Sequence, residues 1–218
     1  MRALIVGISG VMGRATALLS GKNDFYAVAG CDEKIPITCA DNVDLDVIIE
    51  FATAQATPVT LKYAAARAVP AVIGTTGHTD VQRAAISDAA KTIPVFYDSN
   101  FSLGMAALAA AAVKVSAFFP ECRAAIIETH RVGKKDAPGG SAKKLRSVLG
   151  GNADIFSVRT GDEKGRHDIV FALDGQTVVL THHVLSRSVF ARGAVEAARF
   201  TIGKAAGIYT MEDIVRVN

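Results

Sequence analysis

The chain has 218 residues, 50% of them hydrophobic, which is enough for one large domain or two small domains with packed cores. Its formal net charge of +3 is spread along the chain, only 6% of its residues are aromatic, and it contains no Trp. We therefore expect no nucleic-acid partner, because the composition indicates neither a strongly basic surface nor aromatic side chains on which bases could stack.

Alternating strand and helix patterns fill the first half of the chain. Short apolar runs without polar alternation are typical of parallel strands that are covered on both faces. They occupy residues 2–6, 26–31, 46–51, 71–73 and 95–97, and helical patterns occupy residues 14–19, 58–66 and 80–91. The alternation predicts an α/β fold with a Rossmann-type, doubly wound parallel sheet.

A glycine-rich loop follows the first predicted strand. Gly7, Gly10 and Gly13 have the spacing GxxGxxG and precede a helical pattern. Glycines in this position allow a tight turn, a close approach of the backbone to a pyrophosphate, and close packing of the helix on the strand. The pattern alone is also compatible with a purely structural turn.

Asp32, at the end of the second predicted strand, favours the nucleotide-binding interpretation. It lies about 20 residues beyond the loop, where a carboxylate can accept a hydrogen bond from a ribose 2′-hydroxyl. Its charge would repel the 2′-phosphate of NADPH, although the nearby Lys34 weakens this effect. We therefore predict NADH or NADPH as the cofactor, with NADH at least as good. An ordinary loop acid is the alternative interpretation of Asp32.

Two more loops follow predicted strands of the same sheet. Gly74-Thr75-Thr76-Gly77 follows the fourth strand, and residues 98–102 follow the fifth. Small and hydroxyl residues just beyond the carboxyl ends of parallel strands lie where open α/β sheets bind ligands. An ordinary turn is the alternative for the first of these loops.

The pattern changes after residue 101. Residues 103–119 predict a long alanine-rich helix, in a core or between two domains. Strand patterns occupy residues 124–127, 155–159, 168–173 and 177–184, with a hairpin signal at Asp174-Gly175, followed by a helix at 190–202 and an acidic-capped tail around 211–213. We predict an α+β domain with a mostly antiparallel sheet, residues 102–192, inserted into a dinucleotide-binding domain formed by residues 1–101 and 193–218.

The densest cluster of charged residues lies in the segment 128–142, between a strand pattern and a helical pattern that starts at Ser141. The glycines and the helix start favour an anion site. His130 and Lys134 add a possible acid and a fixed positive charge. A solvated basic loop is the alternative. His182 and His183 are predicted to be strand residues rather than ligands.

Cysteine usage and hydropathy indicate the compartment. Cys31, Cys39 and Cys122 are odd in number and lack the spacing of metal ligands, so we expect free thiols and no metal centre. The longest apolar run, residues 103–113, is too short to span a bilayer, and no signal-peptide cleavage pattern is present near the N-terminus. We therefore expect a cytoplasmic protein without a membrane partner.

Motifs along nearly the whole chain resemble the 4-hydroxy-tetrahydrodipicolinate reductase family of bacterial lysine and diaminopimelate biosynthesis, formerly called dihydrodipicolinate reductases. In chain order they are the glycine loop with Met12-Gly13-Arg14, Gly74-Thr75-Thr76-Gly77, Asn100-Phe101-Ser102, the segment 128–142, Arg159-x-Gly161 with Gly165-x-His167, and Ser186-Arg187 with Phe190-Ala191-x-Gly193-Ala194. The resemblance implies NAD(P)H-dependent reduction of a small cyclic dicarboxylate, in a homotetramer assembled through the inserted, substrate-binding domain.

The resemblance also implies individual roles. His130 and Lys134 match the active-site pair of the family, and Gly140 and Ser141 match its carboxylate-binding Gly-Thr. The implied cofactor site consists of Gly7, Ile8, Ser9, Gly10, Val11, Met12 and Asp32, with Gly74, Thr75, Thr76, Asp98, Ser99, Asn100 and Phe101 on the nicotinamide side.

Besides Ser141 in place of threonine, the chain departs from the family pattern at three positions. Arg131 stands where the family usually has a second histidine, Gly139 where it has serine, and Glu50 where it has aspartate. An arginine can bind a carboxylate through two parallel hydrogen bonds, so Arg131 is a candidate substrate ligand. Because of Arg131 and Gly139, two alternatives stay open: a dinucleotide-binding regulator without activity, and a reductase of another small dicarboxylate.

Overall fold

Two units divide the chain in the computed structural model, which describes residues 1–173 and 175–217. The first unit contains residues 1–101 and the described residues from 188 onward, and the second contains Ser102–Arg187. Position 193, the predicted return to the first domain, lies inside a helix that begins at Ser188 and belongs entirely to the first unit. The sequence pattern placed the start of this helix too late, at residue 190.

The elements follow one another in this order. Residues 1–101 form β1 (Arg2–Val6), α1 (Val11–Ala17), β2 (Tyr26–Cys31), a 3-10 helix (Ile37–Ala40), β3 (Val47–Glu50), α2 (Thr57–Ala66), β4 (Ala71–Ile73), α3 (Asp80–Ala89) and β5 (Pro94–Tyr97). The second unit forms α4 (Leu103–Phe118), β6 (Ala124–His130), α5 (Gly140–Val148), β7 (Ala153–Arg159), β8 (Arg166–Leu173) and β9 (Gln176–His183). The chain then forms α6 (Ser188–Thr201), β10 (Gly207–Tyr209) and α7 (Met211–Val217).

The sheet of the first unit has the strand order β10-β5-β4-β3-β1-β2, and every neighbouring pair is parallel. The order reverses at β1, which has β2 on one side and β3 on the other, as in doubly wound sheets. The inner strands are buried on both faces, with Leu4, Ile5, Ile48 and Ile49 completely inaccessible. The predicted Rossmann-type sheet is therefore confirmed.

The end of the chain differs from the prediction. Instead of a short tail, it forms β10, which pairs with β5 at the edge of the sheet, and then α7. Glu212 and Asp213 lie in the first turn of α7, where acidic side chains interact favourably with the helix dipole. The acids thus mark a helix start, and β10 has too few residues to give a periodic pattern.

The sheet of the second unit has the order β7-β6-β8-β9, in which only β6 and β7 are parallel. The predicted mostly antiparallel sheet is therefore confirmed. Leu173 of β8 pairs with Gln176 of β9, and Gly175 between them has a φ of 72°, while Asp174 of the predicted hairpin lies outside the described residues.

Helices α4 and α5 cover one face of this sheet. Leu108 and Ala112 of α4 and Leu145 of α5 are buried in one cluster with Ile126 and Phe171 of the strands. Helix α4 matches the predicted alanine-rich helix. Within the described ranges of the chain, no helix is long and apolar enough to cross a bilayer.

Candidate active site

The glycine loop connects the end of β1 to the start of α1 and packs against Phe51, the residue after β3. Gly7 has a φ of 82°, and its N–H donates to the carbonyl of Cys31 at 2.8 Å. A Cβ on Gly7 would lie 2.2 Å from the Phe51 carbonyl oxygen, and a Cβ on Gly13 would lie 2.0 Å from the Gly7 carbonyl oxygen. Close backbone packing therefore requires both glycines. Helix α1 starts at Val11 rather than at Arg14, directly after the loop.

Asp32 follows β2 and lies beside this loop. Its Oδ1 accepts hydrogen bonds from the backbone N–H groups of Lys34 and Ile35, at 2.9 and 3.1 Å. The Lys34 N–H and then the Ser9 hydroxyl hold the pKa of Asp32 below its usual range. The structure thus brings Ser9 of the loop together with an ionised carboxylate at the end of the neighbouring strand.

The segment after β4 is held by a buried acid. Gly74 lies against the ring of Phe51, which a Cβ would approach to 2.2 Å. The Thr75 hydroxyl donates to Glu50 Oε1 at 2.8 Å and accepts from the Ala52 N–H at 3.1 Å, whereas Thr76 is exposed. The Thr75 side chain therefore fixes the segment to the end of β3, whereas Thr76 is accessible to solvent.

Glu50 also begins a buried hydrogen-bond chain that the sequence did not predict. Its Oε1 accepts from the Thr57 hydroxyl at 2.5 Å, Thr57 Oγ1 contacts His78 Nε2 at 2.8 Å, and His78 Nδ1 contacts the Tyr97 hydroxyl at 3.1 Å. Because Thr57 gives its proton to Glu50, His78 must donate from Nε2 and accept at Nδ1. Burial lowers the pKa of His78, in keeping with this neutral tautomer.

The segment after β5 is anchored at both ends. Asp98 is buried, and its Oδ2 accepts from the N–H of Met211 at the start of α7, at 3.1 Å. The Phe101 ring packs on Phe51 and Phe96, with centroid distances of 5.7 and 5.8 Å. Between these anchors, Ser99 is exposed and Asn100 half-buried.

The cofactor residues predicted from the sequence therefore lie at the carboxyl ends of β1, β2, β4 and β5. These ends share one edge of a parallel sheet, the position at which open α/β sheets bind ligands. This edge combines a glycine loop that leads into a helix with an ionised acid, Asp32, directly after β2. This donor set fits a dinucleotide.

In the second unit, β6 continues to His130, beyond the predicted strand, and its alternation places Glu128 and His130 on the same face. Glu128 is completely buried. Its Oε1 accepts from Gly139 N–H at 2.9 Å, Ser157 Oγ at 2.7 Å and Arg159 Nη2 at 2.9 Å. Burial alone would raise the pKa of Glu128, but these hydrogen bonds, led by that of Arg159, lower it. Glu128 is therefore ionised at neutral pH.

Two histidines lie next to this carboxylate. His130 Nδ1 is 3.4 Å from Glu128 Oε2, and the His130 ring packs edge-on against His167, with a centroid distance of 5.2 Å. Burial lowers the pKa of His130, helped by the charges of Lys134 and Arg159 and opposed by that of Glu128. Burial also lowers the pKa of His167 to about 4. Both imidazoles are therefore neutral at pH 7.

Glu128, His130 and His167 have potential metal-ligating atoms that all lie within 4.8 Å of one another. The sequence prediction of no metal centre considered chain spacing alone and could not detect residues that strand pairing brings together. A bound cation would also face the Arg159 guanidinium, 2.9 Å from Glu128, and the charge of Lys134. These positive charges oppose the binding of a metal ion in this cluster.

Three of the predicted site residues, His130, Arg131 and Lys134, line one cavity of about 470 Å³. Its remaining lining residues are Gly133, Lys135, Asp136, Asp162, Glu163, Lys164 and Arg187. Basic side chains outnumber acidic ones, and the Lys134 ammonium is hydrogen-bonded to the Asp136 carboxylate. The cavity therefore suits a small anion, and Lys164 and Arg187 are basic lining residues that the sequence did not single out.

Gly140 and Ser141, the predicted carboxylate ligands, are the first residues of α5. They are not among the residues that line this cavity, but Lys134 connects the two places. A Cβ on Gly139 would lie 3.3 Å from Lys134 Nζ, so the ammonium is beside the helix start. The positive end of the helix dipole and the ammonium both favour a carboxylate there.

No role was predicted for Glu128, Arg159 or His167 from the sequence. The two-residue strand period could have placed Glu128 beside His130, because both are in one strand. Arg159 and His167 lie on β7 and β8, and only the register of the sheet shows that His130 is opposite Arg159 and Glu128 opposite His167.

Two family models together cover almost the whole chain. The model described as "Dihydrodipicolinate reductase, N-terminus" matches residues 1–101, and "Dihydrodipicolinate reductase, C-terminus" matches residues 104–215. The 4-hydroxy-tetrahydrodipicolinate reductase of Caldanaerobacter subterraneus subsp. tengcongensis is 34% identical over 247 residues, with 99% of this chain and 98% of the relative covered. That of Xanthomonas euvesicatoria pv. vesicatoria is 36% identical over 232 residues, with the same coverage of 99% and 98%.

A similar solved structure is the dipicolinate-bound dihydrodipicolinate reductase from Paenisporosarcina sp. TG-14. It has a TM-score of 0.86 and 22% sequence identity, and the match covers 98% of this chain and 99% of that one. The C. glutamicum DAP dehydrogenase in complex with DAP has a TM-score of 0.62 and 15% identity. At these identities, the structural similarity supports the fold.

Proposed function

The chain belongs to the dihydrodipicolinate reductase family, and we propose that His130 and Lys134 form the active-site pair of a 4-hydroxy-tetrahydrodipicolinate reductase. The enzyme is an NAD(P)H-dependent oxidoreductase of lysine biosynthesis, which reduces 4-hydroxy-tetrahydrodipicolinate to tetrahydrodipicolinate with loss of the 4-hydroxyl group as water. One observation carries the residue assignment: His130, Arg131 and Lys134 line the same, mainly basic cavity.

The residues of the second unit suit the chemistry of this reduction. A bound dinucleotide supplies hydride. Negative charge then develops on the conjugated system of the substrate, and the Lys134 ammonium stabilises or protonates it. Burial holds the pKa of His130 below its ordinary value, so the imidazole is neutral. In this form it can orient the substrate or relay the proton.

Three residues are proposed to bind the carboxylates of the substrate. Arg131 is an exposed residue that lines the cavity, and its guanidinium can bind one carboxylate through two parallel hydrogen bonds. Gly140 and Ser141, at the start of α5, are proposed to bind the other through backbone N–H groups and a hydroxyl. The basic character of the cavity supports a dicarboxylate over a neutral substrate.

For the cofactor, we propose that NADH serves at least as well as NADPH. The supporting observation is the Asp32 carboxylate at the end of β2, whose hydrogen bonds to Lys34 N–H and Ser9 keep it ionised. An ionised acid accepts from a ribose 2′-hydroxyl and repels a 2′-phosphate.

We also propose a homotetramer that is assembled through the sheet of the second unit. The face of this sheet opposite α4 and α5 carries Phe156, Val158 and Val179, with exposed fractions of 56%, 41% and 52%. Apolar side chains grouped on one open sheet face are typical of a protein–protein interface.

Substitution of the active-site pair tests the proposed reaction. We expect His130→Ala and Lys134→Ala each to lower turnover by about 10²-fold, through loss of an acid or of a stabilising charge. The assay follows NADH oxidation while the preceding synthase generates the substrate in situ. Lys143→Ala is the matched control, because Lys143 is an exposed lysine on α5, outside the cavity.

Two outcomes would contradict the proposal. Near-normal turnover in both variants would show that His130 and Lys134 do not have the proposed roles. NADH binding without substrate-dependent oxidation in the wild-type protein would instead favour the regulator, and oxidation with a different dicarboxylate in a substrate panel would favour a related reductase.

A further inference from the structure

We propose that Glu128 positions the His130 imidazole through its second carboxylate oxygen, and that the absent side chain of Gly139 leaves this oxygen available. Glu128 is thus a positioning residue, which acts on the reaction only through His130. The inference rests on the proposed function for the importance of His130, but the contact between the two side chains can be tested without any activity measurement.

The Glu128 carboxylate is held in one orientation. Gly139 N–H, Ser157 Oγ and Arg159 Nη2 come from the start of α5 and from β7, and all three donate to Oε1. Oε2 is buried and accepts no hydrogen bond from any residue that the structure describes. Because three donors fix Oε1, the position of Oε2 is fixed as well, on the side of His130.

The nearest polar atom of His130 is equally unsatisfied. His130 Nδ1 is buried without a hydrogen-bond partner in the described chain and lies 3.4 Å from Glu128 Oε2. Two buried polar atoms left unpaired are unfavourable, so a small contraction that joins them is favoured. An Nδ1–H donated to Oε2 leaves Nε2 without a proton, available to accept one or to orient the substrate.

Among the described residues, no other group around His130 accepts a hydrogen bond from Nδ1. His167 packs edge-on against the ring, and its own two nitrogens are buried without hydrogen bonds to described residues. Lys134 and Arg159 are cations, and Asp136 is hydrogen-bonded by Lys134. Glu128 is therefore the carboxylate that can select the tautomer of His130.

Gly139 makes this arrangement possible. Its backbone is extended, with φ −70° and ψ 163°, which any residue can adopt, so the conformation does not require glycine. The limited space around this position does require glycine. A Cβ there would lie 2.7 Å from Glu128 Oε2, which cannot move away easily while three donors hold Oε1. A serine, the usual family residue at this position, would place a competing hydroxyl donor near the same oxygen. The departure at Gly139 thus favours the Glu128–His130 contact in this chain.

Glu128→Gln is the direct test, because an amide can keep the acceptor at Oε1 while presenting N–H₂ to His130. ¹⁵N NMR of the imidazole, assigned by comparison with His130→Ala, reads the tautomer and the pKa. We expect the wild-type tautomer to carry its proton on Nδ1 and the variant to carry it on Nε2. We also expect a lower pKa of His130, because a negative charge is lost, and about a tenfold lower kcat with a smaller change in KM.

Gly139→Ala provides an independent second variant, which retains Glu128 but displaces Oε2, and we expect a smaller change of His130 in the same direction. Asp154→Asn is the matched control, since it removes an exposed carboxylate that pairs with Arg123 on the same unit. An unchanged tautomer and pKa in both test variants would overturn the inference. A changed tautomer, together with near-normal turnover of His130→Ala, would leave the contact standing and overturn the proposed function instead.

Discussion

At the scale of single residues, Asp32 has the clearest electrostatic consequence. Asp32 comes directly after β2, and its ionised carboxylate lies beside Ser9 of the glycine loop. The hydrogen bonds from the backbone of Lys34 and Ile35 go to Oδ1, so a second carboxylate oxygen can still accept from a ribose. A 2′-phosphate in the same place would bring like charges together.

Asp32→Asn is therefore expected to raise the ratio of kcat/KM for NADPH to that for NADH by about five- to tenfold, because the charge that repels a 2′-phosphate is removed while the side-chain shape is kept. Steady-state kinetics with each cofactor measures the ratio. Asp44→Asn is the control. It removes an exposed carboxylate that precedes β3, at the amino ends of the strands, whereas Asp32 lies at their carboxyl ends. A ratio that is equal in Asp32→Asn and in the wild-type protein would contradict the role of Asp32.

At the scale of elements, α6 depends on one glycine for its position in the first unit. A Cβ on Gly193 would lie 1.6 Å from the carbonyl oxygen of Phe101, the last residue of the segment after β5. The backbone of that segment and the helix are thus in direct contact. This explains why glycine is needed at the centre of a helix, where it is otherwise unfavourable.

Gly193→Ala should lower the free energy of unfolding by about 1–3 kcal/mol, because overpacking against a backbone atom outweighs the roughly 1 kcal/mol that alanine gains over glycine in a helix. Thermal unfolding should show a fall in Tm of several degrees. The adjacent exposed Arg192→Ala serves as the control and should change Tm little. Equal Tm values for the two variants would mean that α6 shifts without cost.

The elements also differ in how well the sequence predicts them. The inner strands β1, β3 and β4 were predictable, because burial on both faces leaves an uninterrupted apolar run. Strand β10 was not, because its three residues are defined by pairing with β5. In the candidate site, local composition drew attention to His130 and Lys134 and the family resemblance suggested their roles. The hydrogen bonds of Glu128 to Gly139 and Arg159 depend instead on contacts between distant segments.

At the scale of the whole molecule, the open sheet face of the second unit predicts assembly. The double substitution Phe156→Glu and Val179→Glu should dissociate a homotetramer, because charged side chains in an apolar interface lose hydration without gaining partners. Light scattering coupled to size-exclusion chromatography should give four times the 22.8-kDa chain mass for the wild-type protein and a lower mass for the variant.

The matched control places the same charge on another exposed apolar side chain. Leu18 belongs to the first unit and is 78% exposed, so Leu18→Glu should leave the mass unchanged. A wild-type protein that elutes as a monomer, or a double variant that stays tetrameric, would contradict assembly through this face.

The contact between Asp98 and the Met211 N–H has a consequence for synthesis on the ribosome. It joins the loop after β5 to a helix start that is translated much later, and β10, which completes the sheet beside β5, also comes after the whole second unit. Domains generally fold as their residues emerge, with the N-terminal ones first. Here, however, the sheet of the first unit is complete only after β10 has been translated, so the inserted second unit can fold before the first unit is complete.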